Sequence, residues 1–336
     1  MWIFLMIKNE IIKSFSRIKT IVFLIILLVA ILASGIIFKL VSPQPDDWKA
    51  DLEQQVTKNQ EVAEAYKSGT IDTSGSYVMS ESDKEQLIRY YTEQASVCQY
   101  AVDHNIPVNK TTAWSFATSF EFIVNLVFIF MIVAAAESVA SEYSSGNIRY
   151  LLIKPKSRWK LLTGKFLSLI ASALFFLLIT FLLTAIMGFL FYGFDGAQGV
   201  TLSLENGRII EQSIVAKLLL TYLADLVRLL VVISLAMMIS VLMKSGTLSI
   251  LLSVGVIFSG YILTAILSVL KALVSASAID WIKYTPFPNL DLAQYLTAGE
   301  PQFPGMTLVF SAAVLLVYFV LFNTVSYTVF SKRDVY

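Results

Sequence analysis

The sequence is poor in the residues that give soluble enzymes a polar surface and polar chemistry. Only 15% of its 336 residues are charged and 57% are hydrophobic, whereas about 25% of the residues in soluble domains are charged. A single cysteine, Cys98, and a single histidine, His104, occur in the chain, which excludes an intramolecular disulfide and zinc sites built from His and Cys. The composition therefore predicts an integral membrane protein.

The sequence also lacks the phosphate-binding loop G-x-x-x-x-G-K-[ST]. Gly164 and Lys165 are followed by Phe166, and no glycine stands at the required position upstream. Without this loop the chain cannot cradle ATP in that way. No apolar segment places a nucleophile beside a general base, as a hydrolase requires. We therefore predict no enzymatic activity, no metal site and no cofactor in this chain.

Six apolar, charge-poor segments are long enough to cross the hydrocarbon core, which takes about 20 helical residues. The predicted spans are 20–42, 114–136, 166–194, 218–243, 245–270 and 306–330. The first is expected to be retained, because no A-x-A-like cleavage site follows it. Lys244-Ser245-Gly246 is the predicted tight turn between the fourth and fifth spans. The expected fold class is an all-α integral membrane protein with six transmembrane helices.

The segments outside the spans differ in character. Residues 1–19 place apolar and basic residues on opposite helical faces, which predicts an interfacial elbow helix; an extension of the first span is the alternative. Residues 43–113 form a polar insert with twelve acidic and six basic residues between Asp46 and Thr112. The remaining predicted segments are a cytoplasmic coupling loop at 137–165, an extracellular loop at 195–217, an extracellular broken or re-entrant segment at 271–305 and a cytoplasmic tail at 331–336.

The polar insert contains two stretches with apolar residues at helical spacing. One carries Trp48, Leu52, Val56, Ala63 and Tyr66, and the other carries Leu87, Tyr91, Ala95, Cys98 and Val102. Each stretch predicts an amphipathic helix with one face for burial. The insert is therefore expected to be a helical hairpin between the first two spans.

The distribution of Lys and Arg predicts the orientation, because cytoplasmic loops carry the excess of these residues. Thirteen lie in four short segments on one side: Lys8, Lys13, Arg17, Lys19, Arg149, Lys154, Lys156, Arg158, Lys160, Lys165, Lys244, Lys332 and Arg333. Eleven are spread over more than twice that length on the other side. Both termini are thus predicted to be cytoplasmic and the hairpin extracellular. Basic residues beside spans do not form a nucleic-acid surface, so no nucleic-acid partner is predicted.

The segment 137–165 carries the most specific pattern in the chain. Its candidate residues are Glu137, Glu142, Gly146, Arg149, Leu151, Leu152, Pro155, Arg158, Gly164 and Lys165. This order of glutamate, glycine, Leu-Leu, proline, arginine and Gly-Lys between the second and third spans resembles the cytoplasmic signature of type-2 ABC exporter permeases. Asn147 stands where members usually carry threonine. Tyr284-Thr285-Pro286-Phe287-Pro288-Asn289 also resembles a proline-aromatic segment before the last span of many members.

The resemblance implies partners and a location. In that family the loop forms a short coupling helix that docks on a separate ATPase subunit, so the expected assembly contains two copies of an ATPase that binds ATP and Mg. It also contains a second permease subunit, identical or homologous, in the plasma membrane of a bacterium. The substrate would be a peptide, an antibiotic or a lipid-like molecule.

Local physical chemistry is compatible with this interpretation of the loop. Gly146 after Ser144-Ser145 predicts a helix end, and Pro155 delays the next helix. Glu142 and Arg149 offer charges to a polar partner surface. The alternative is that the basic residues of the loop anchor it to anionic lipid in the bilayer.

Asp225 and Arg228 are charged residues inside the fourth predicted span. Their i, i+3 spacing predicts that the side chains face each other and reduce their cost in the membrane. They are either a structural pair, which we favour, or contacts for a substrate. Two other functions stay open: a membrane sensor or immunity protein that binds an external peptide without transport, and a proton-coupled secondary transporter that uses Asp225.

Overall fold

A computed structural model describes residues 2–41, 47–68, 81–146, 158–194, 199–205, 208–270, 279–296 and 301–332. In these ranges the α-helices are α1 Trp2–Phe15, α2 Ile18–Val41, α3 Trp48–Ser68, α4 Glu81–Asp103, α5 Ala113–Ser119, α6 Val124–Ser144, α7 Arg158–Tyr192, α8 Ile214–Leu242, α9 Gly246–Leu270 and α10 Leu308–Lys332. The strands are β1 Val200–Glu205 and β2 Arg208–Ser213. Short 3-10 turns lie at Glu121–Ile123, Asp280–Tyr284, Phe287–Asn289 and Ala293–Leu296.

Among the described residues, six helices are long and apolar enough to cross a membrane: α2, α6 with the turn before it, α7, α8, α9 and α10. Each overlaps most of one predicted span, but the second predicted span, 114–136, is divided, because its first residues lie on the separate helix α5, Ala113–Ser119. Helices suit this environment because they satisfy all their backbone hydrogen bonds internally. The prediction of a mainly helical protein with six membrane-length helices is confirmed.

Two of these helices extend well beyond the apolar runs that predicted them. Helix α6 ends at Ser144 rather than at 136, and α7 begins at Arg158 rather than at 166. An apolar run marks only the part of a helix that suits hydrocarbon, whereas backbone hydrogen bonding continues into the polar flanks. Glu137, Glu142 and Lys165, predicted in a loop, therefore lie on helices.

The chain forms two compact units, the first from 1–33, 120–184 and 219–336, the second from 34–119 and 185–218. In the second unit, α3 and α4 pack against each other through Leu52, Val56, Cys98 and Ala101. The Tyr66 and Tyr91 rings stack farther along, at a centroid distance of 6.1 Å. Residue numbers rise on one helix as they fall on the other, so the two helices are antiparallel.

The lone cysteine lies within this helix pair. The Cys98 side chain is buried, and burial, reinforced by the Asp51 carboxylate, raises the pKa of its thiol. Because the thiolate is the reactive form of cysteine, a raised pKa makes the thiol inert. Cys98 therefore acts as a small apolar residue, as its position in the amphipathic pattern predicted.

The predicted loop 195–217 is not entirely irregular, which corrects the sequence interpretation. Strands β1 and β2 form an antiparallel pair with Val200 opposite Ser213 and Glu205 opposite Arg208. The sequence signal was the alternation of Val-Thr-Leu-Ser-Leu before Asn206-Gly207, a dipeptide that favours a tight hairpin turn. Leu202 of β1 packs against the α3–α4 core.

In the first unit, α8 is the most enclosed span. About 67% of its most apolar stretch is buried, against 22% for α9 and 17% for α10. The 3-10 turn Phe287–Asn289 packs against α9. The contact is close, since a Cβ added at Gly260 would lie 2.2 Å from the Phe287 ring. A separate cluster of buried apolar side chains consists of Ile279, Ile282, Phe303 and Met306. The short turns at Asp280–Tyr284, Phe287–Asn289 and Ala293–Leu296 lie within the predicted broken segment 271–305.

Candidate functional site

The end of α6 has the geometry that its sequence predicts. The helix ends at Ser144, and Gly146 has a φ of +72°, a left-handed conformation that glycine adopts without a steric penalty. The Gly146 N–H donates to the Tyr143 carbonyl at 3.2 Å. Helix termination at Gly146 is confirmed.

The centre of the predicted coupling loop lies outside the described residues. This holds for Arg149, Leu151, Leu152 and Pro155. Their predicted docking role therefore stays a prediction. The residues on either side of the loop, at the end of α6 and the start of α7, can be placed.

These flanking residues form an ion cluster with α1, which we call the junction cluster: Glu10, Lys13, Glu142 and Lys165. Lys165 Nζ lies 2.6 Å from Glu142 Oε1 and 3.7 Å from Glu10 Oε2. Lys13 Nζ lies 3.2 Å from the same Glu142 oxygen. Glu142 and Lys165 are only 5% and 4% exposed. Two cations and two carboxylates thus join α1, α6 and α7 with balanced charge.

The junction cluster changes the interpretation of Glu142. The sequence placed this carboxylate on a surface offered to a partner, whereas the structure buries it between two lysines of its own chain. Its second oxygen, Oε2, is also buried and has no hydrogen-bond partner among the described residues. Desolvation of a charge is costly unless it is paired, so Glu142 and Lys165 act first on each other.

Other residues of the signature also contact neighbouring helices. Glu137 Oε1 lies 2.5 Å from Lys19 Nζ on α2. The Arg158 guanidinium donates to the Ser331 carbonyl of α10 at 3.2 Å. The polar residues that flank the loop therefore connect its two ends to α1, α2 and α10 of the first unit.

A second charged group, the Arg228 cluster, is centred on α8 and contains Asn125, Asp225, Arg228, Phe128 and Tyr261. Arg228 Nη1 lies 3.7 Å from Asp225 Oδ1, so the predicted facing of this pair is confirmed. Arg228 Nε donates to Tyr261 Oη at 3.1 Å and Nη2 donates to Asn125 Oδ1 at 3.2 Å. The Phe128 ring centroid is 4.2 Å from the guanidinium carbon, a cation–π distance.

The Arg228 cluster includes two residues that sequence reasoning missed. Asn125 and Tyr261 are polar groups within spans, and polar groups in spans tend to face partners inside the bundle. Asp225 also interacts electrostatically with Glu121 and Asp291. In the described part of the chain no group of three or more His, Cys, Asp or Glu is arranged to hold a metal ion.

The fold and these buried charges define a multi-pass membrane protein, with six membrane-length helices in the part of the chain that the structure describes. A family described as a protein of unknown function, DUF2705, matches residues 78–336, so the chain belongs to this family. The chain is 34% identical over 248 residues to the uncharacterized protein YhcI of Bacillus subtilis (strain 168). The aligned region covers 73% of this chain and 76% of that protein.

A second relative supports the membrane assignment. The chain is 25% identical over 205 residues to the uncharacterized membrane protein YdbK of the same organism, which covers 61% of this chain and 76% of that protein. No solved structure matches the chain. The names of these two relatives specify no substrate and no partner.

Proposed function

We propose that this protein is the permease subunit of an ABC-type exporter in a bacterial plasma membrane. It works with a second permease subunit and two copies of a separate ATPase, which bind ATP and Mg. The termini and the segment 137–165 face the cytoplasm, α1 lies in the membrane interface, and the α3–α4 hairpin is external. The exported molecule is a peptide, an antibiotic or a lipid-like compound.

The junction cluster is the observation that carries this proposal. The loop whose residues resemble the ATPase-docking signature begins after α6 and ends at α7. One buried ion pair joins these two helices directly, with Glu142 just before the start of the loop and Lys165 just after its end. A force applied to the loop would therefore move α6 and α7 together. The ion pair between Glu142 and Lys13 would transmit this movement to α1.

The proposed cycle uses two states of the membrane helices. ATP binding closes the ATPase subunits, which push on the loop and rock the span bundles until a central path opens outward. Release of the products returns the bundles to their first state. This is a two-state element biased by a ligand, and the energy that drives it is the differential affinity of the ATPase for the two states.

The proposal is tested by purifying the tagged chain from its native cells in mild detergent and identifying what copurifies by mass spectrometry. An ATPase that carries the phosphate-binding loop is expected. Arg149→Glu with Lys154→Glu should abolish copurification, because these loop residues would contact the ATPase directly. Arg89→Glu is the matched control, since Arg89 is an exposed residue of α4 and is predicted on the opposite side of the membrane.

One outcome would overturn the proposed function, and another would overturn only the docking site. If the wild-type chain purifies without any ATPase, the exporter function fails, and the α3–α4 hairpin should be tested as a peptide sensor. If the ATPase binds equally well to the loop variant and to Arg89→Glu, an exporter remains but the loop is not its docking site.

A further inference from the structure

Helix α6 has an unusual hydrogen-bond pattern one turn before the junction cluster. In a regular α-helix the Val139 N–H donates to the Ala135 carbonyl and the Ala140 N–H to the Ala136 carbonyl. Here both N–H groups also reach Ser240 Oγ of α8, at 3.1 and 3.0 Å. The donors of two successive helical hydrogen bonds are therefore shared with a side chain of another helix.

The acceptors of the same two hydrogen bonds are shared as well. Ser249 Oγ of α9 donates to the Ala136 carbonyl at 2.7 Å, and Ser138 Oγ donates to the Ala135 carbonyl at 2.6 Å. Hydroxyl groups that insert into the i to i−4 ladder are a recognised cause of bends in helices. Side-chain hydroxyls thus contact α6 at both ends of two consecutive helical bonds.

This arrangement is sealed from solvent and built from small residues. Ala135, Ala136, Val139 and Ala140 are all 0% exposed, and so are Ser240 and Ser249. Water cannot supply the hydrogen bonds that these hydroxyls make. The arrangement therefore depends on two serines from two other helices, which are placed there by the fold.

The position of α9 against α6 explains how Ser249 reaches the backbone. A Cβ at Gly246 would lie 3.6 Å from Ser141 Cα, so the first turn of α9 passes close to the α6 main chain. Small residues at helix interfaces allow such close approach in membranes. Ser249 lies one turn after Gly246 and faces Ala136.

We infer that Ala135–Ser141 is a hinge in α6 and that Ser240 and Ser249 are the positioning residues that hold it. This inference rests on the proposed function, because the hinge separates the loop and the junction cluster from the rest of α6. Two states are available: the observed one, in which Val139 and Ala140 share their N–H groups with Ser240, and one in which Ser240 has withdrawn and the two N–H groups donate only within α6. Conversion between them redirects Glu142 and the start of the loop relative to the residues before Ala135.

The hinge itself is tested on the full-length chain in lipid nanodiscs, without any ATPase. In a Cys98→Ala background, spin labels are attached to cysteines replacing Ser144, which follows the hinge, and Val317, which lies on α10 and is 64% exposed. The distance between the labels is measured in wild type, Ser240→Ala and Ser240→Ala/Ser249→Ala. The double variant should shift it by about 2 Å or more, the scale of known helix displacements in switching proteins.

A second label pair controls for changes elsewhere. Ile129 lies on α6 before the hinge and is 40% exposed; the distance from Ile129 to Val317 should be the same in every variant. Ser240→Thr keeps the hydroxyl and should restore the wild-type Ser144 to Val317 distance. If that distance is unchanged in the double variant, or if both label pairs shift together, α6 is not hinged at Ala135–Ser141.

The link to transport is a separate measurement. With the ATPase present, Ser240→Ala should still copurify with it but export less substrate per ATP hydrolysed. Full export by a variant whose label distance has shifted would show that the hinge has no role in transport. Absence of the ATPase would overturn the proposed function and leave the nanodisc result on the hinge intact.

Discussion

Two buried ion pairs of the first unit differ in what they connect. Lys165 and Glu142 come from different helices, lie 2.6 Å apart, and have side chains that are 5% and 6% exposed. Arg228 and Asp225 lie on one helix, are 3.7 Å apart, and have side chains that are 19% and 10% exposed. The first pair joins the helices at the two ends of a loop. The second pair lies within one helix, and its arginine also donates hydrogen bonds to Tyr261 and Asn125.

The difference shows that proximity in sequence and importance for assembly are separate properties. An i, i+3 pair is close whenever its helix forms, so its contact does not depend on how that helix packs against others. The Glu142–Lys165 pair forms only when α6 and α7 are packed correctly, and it stabilises that packing in return. The variants below test this comparison, from the largest expected effect to the smallest.

Breaking the junction pair should have the largest effect. Glu142→Gln leaves the Lys165 ammonium buried, with Glu10 at 3.7 Å as its remaining carboxylate. Leaving one charge of a buried pair uncompensated costs about 3–5 kcal/mol, and Glu10 reduces this cost only in part because it is farther away and more exposed than Glu142. The expected result is a large fall in the midpoint of thermal unfolding in nanodiscs. Glu93→Gln, which disrupts an exposed pair on α4, is the control and should change little.

A double variant sharpens this prediction. Glu142→Gln with Lys165→Met removes both charges and should be less destabilising than the two single variants added together, because no unpaired charge remains. Additive effects would mean that the two side chains do not interact.

Removing the guanidinium of the Arg228 cluster should have the next largest effect. Arg228→Met deletes hydrogen bonds to Tyr261 and Asn125 together with the ion pair. Hydrogen bonds to charged groups are worth about 1.5–3 kcal/mol each, so we expect a loss of about 2–3 kcal/mol after relaxation. Asp225→Asn should cost less, because Arg228 keeps its other partners.

The same variants separate two functions. An exporter driven by ATP should keep transport in Asp225→Asn, whereas a proton-coupled transporter that uses Asp225 should lose it completely. A proton-driven uptake or efflux assay without ATP measures this directly.

A steric variant tests the surroundings of the Arg228 cluster with a smaller effect. A Cβ at Gly260 would lie 2.2 to 2.4 Å from three atoms of the Phe287 ring, and overpacking of this kind costs about 1–3 kcal/mol. Gly260→Ala should lower the thermal midpoint and displace Tyr261, the next residue. Gly255→Ala on the same helix is the matched control, because no described residue outside its own helix turn lies within 4 Å of a Cβ placed there. Equal effects of both changes would refute the packing of Phe287 on α9.

The exposed pair between α2 and α6 should have the smallest effect. The side chains of Lys19 and Glu137 are 64% and 15% exposed, so water already solvates the lysine. Pairs of this kind contribute below about 1 kcal/mol. Lys19→Gln should leave the thermal midpoint almost unchanged at moderate salt. A loss as large as that of Glu142→Gln would mean that burial does not distinguish the two pairs.

Sequence reasoning succeeded where the signal was local. The six spans follow from apolar runs, the end of α6 from Gly146, and the facing of Asp225 and Arg228 from their spacing. The hairpin of β1 and β2 was missed although its signal was also local, because the apolar-run criterion treated everything between spans as loop. The junction cluster had no local signal, since Lys13 and Glu142 are 129 residues apart.

The sequence by itself determined the number of membrane-length helices and where the charged residues stand along the chain, because hydropathy and spacing are properties of consecutive residues. Tertiary structure alone decided that Glu142 meets Lys165 and Lys13 rather than a surface. It also decided that Ser240 and Ser249 contact the α6 backbone. These contacts depend on how separate helices pack. Because burying a polar group without a partner is costly, each group then pairs with a partner that the packing brings close.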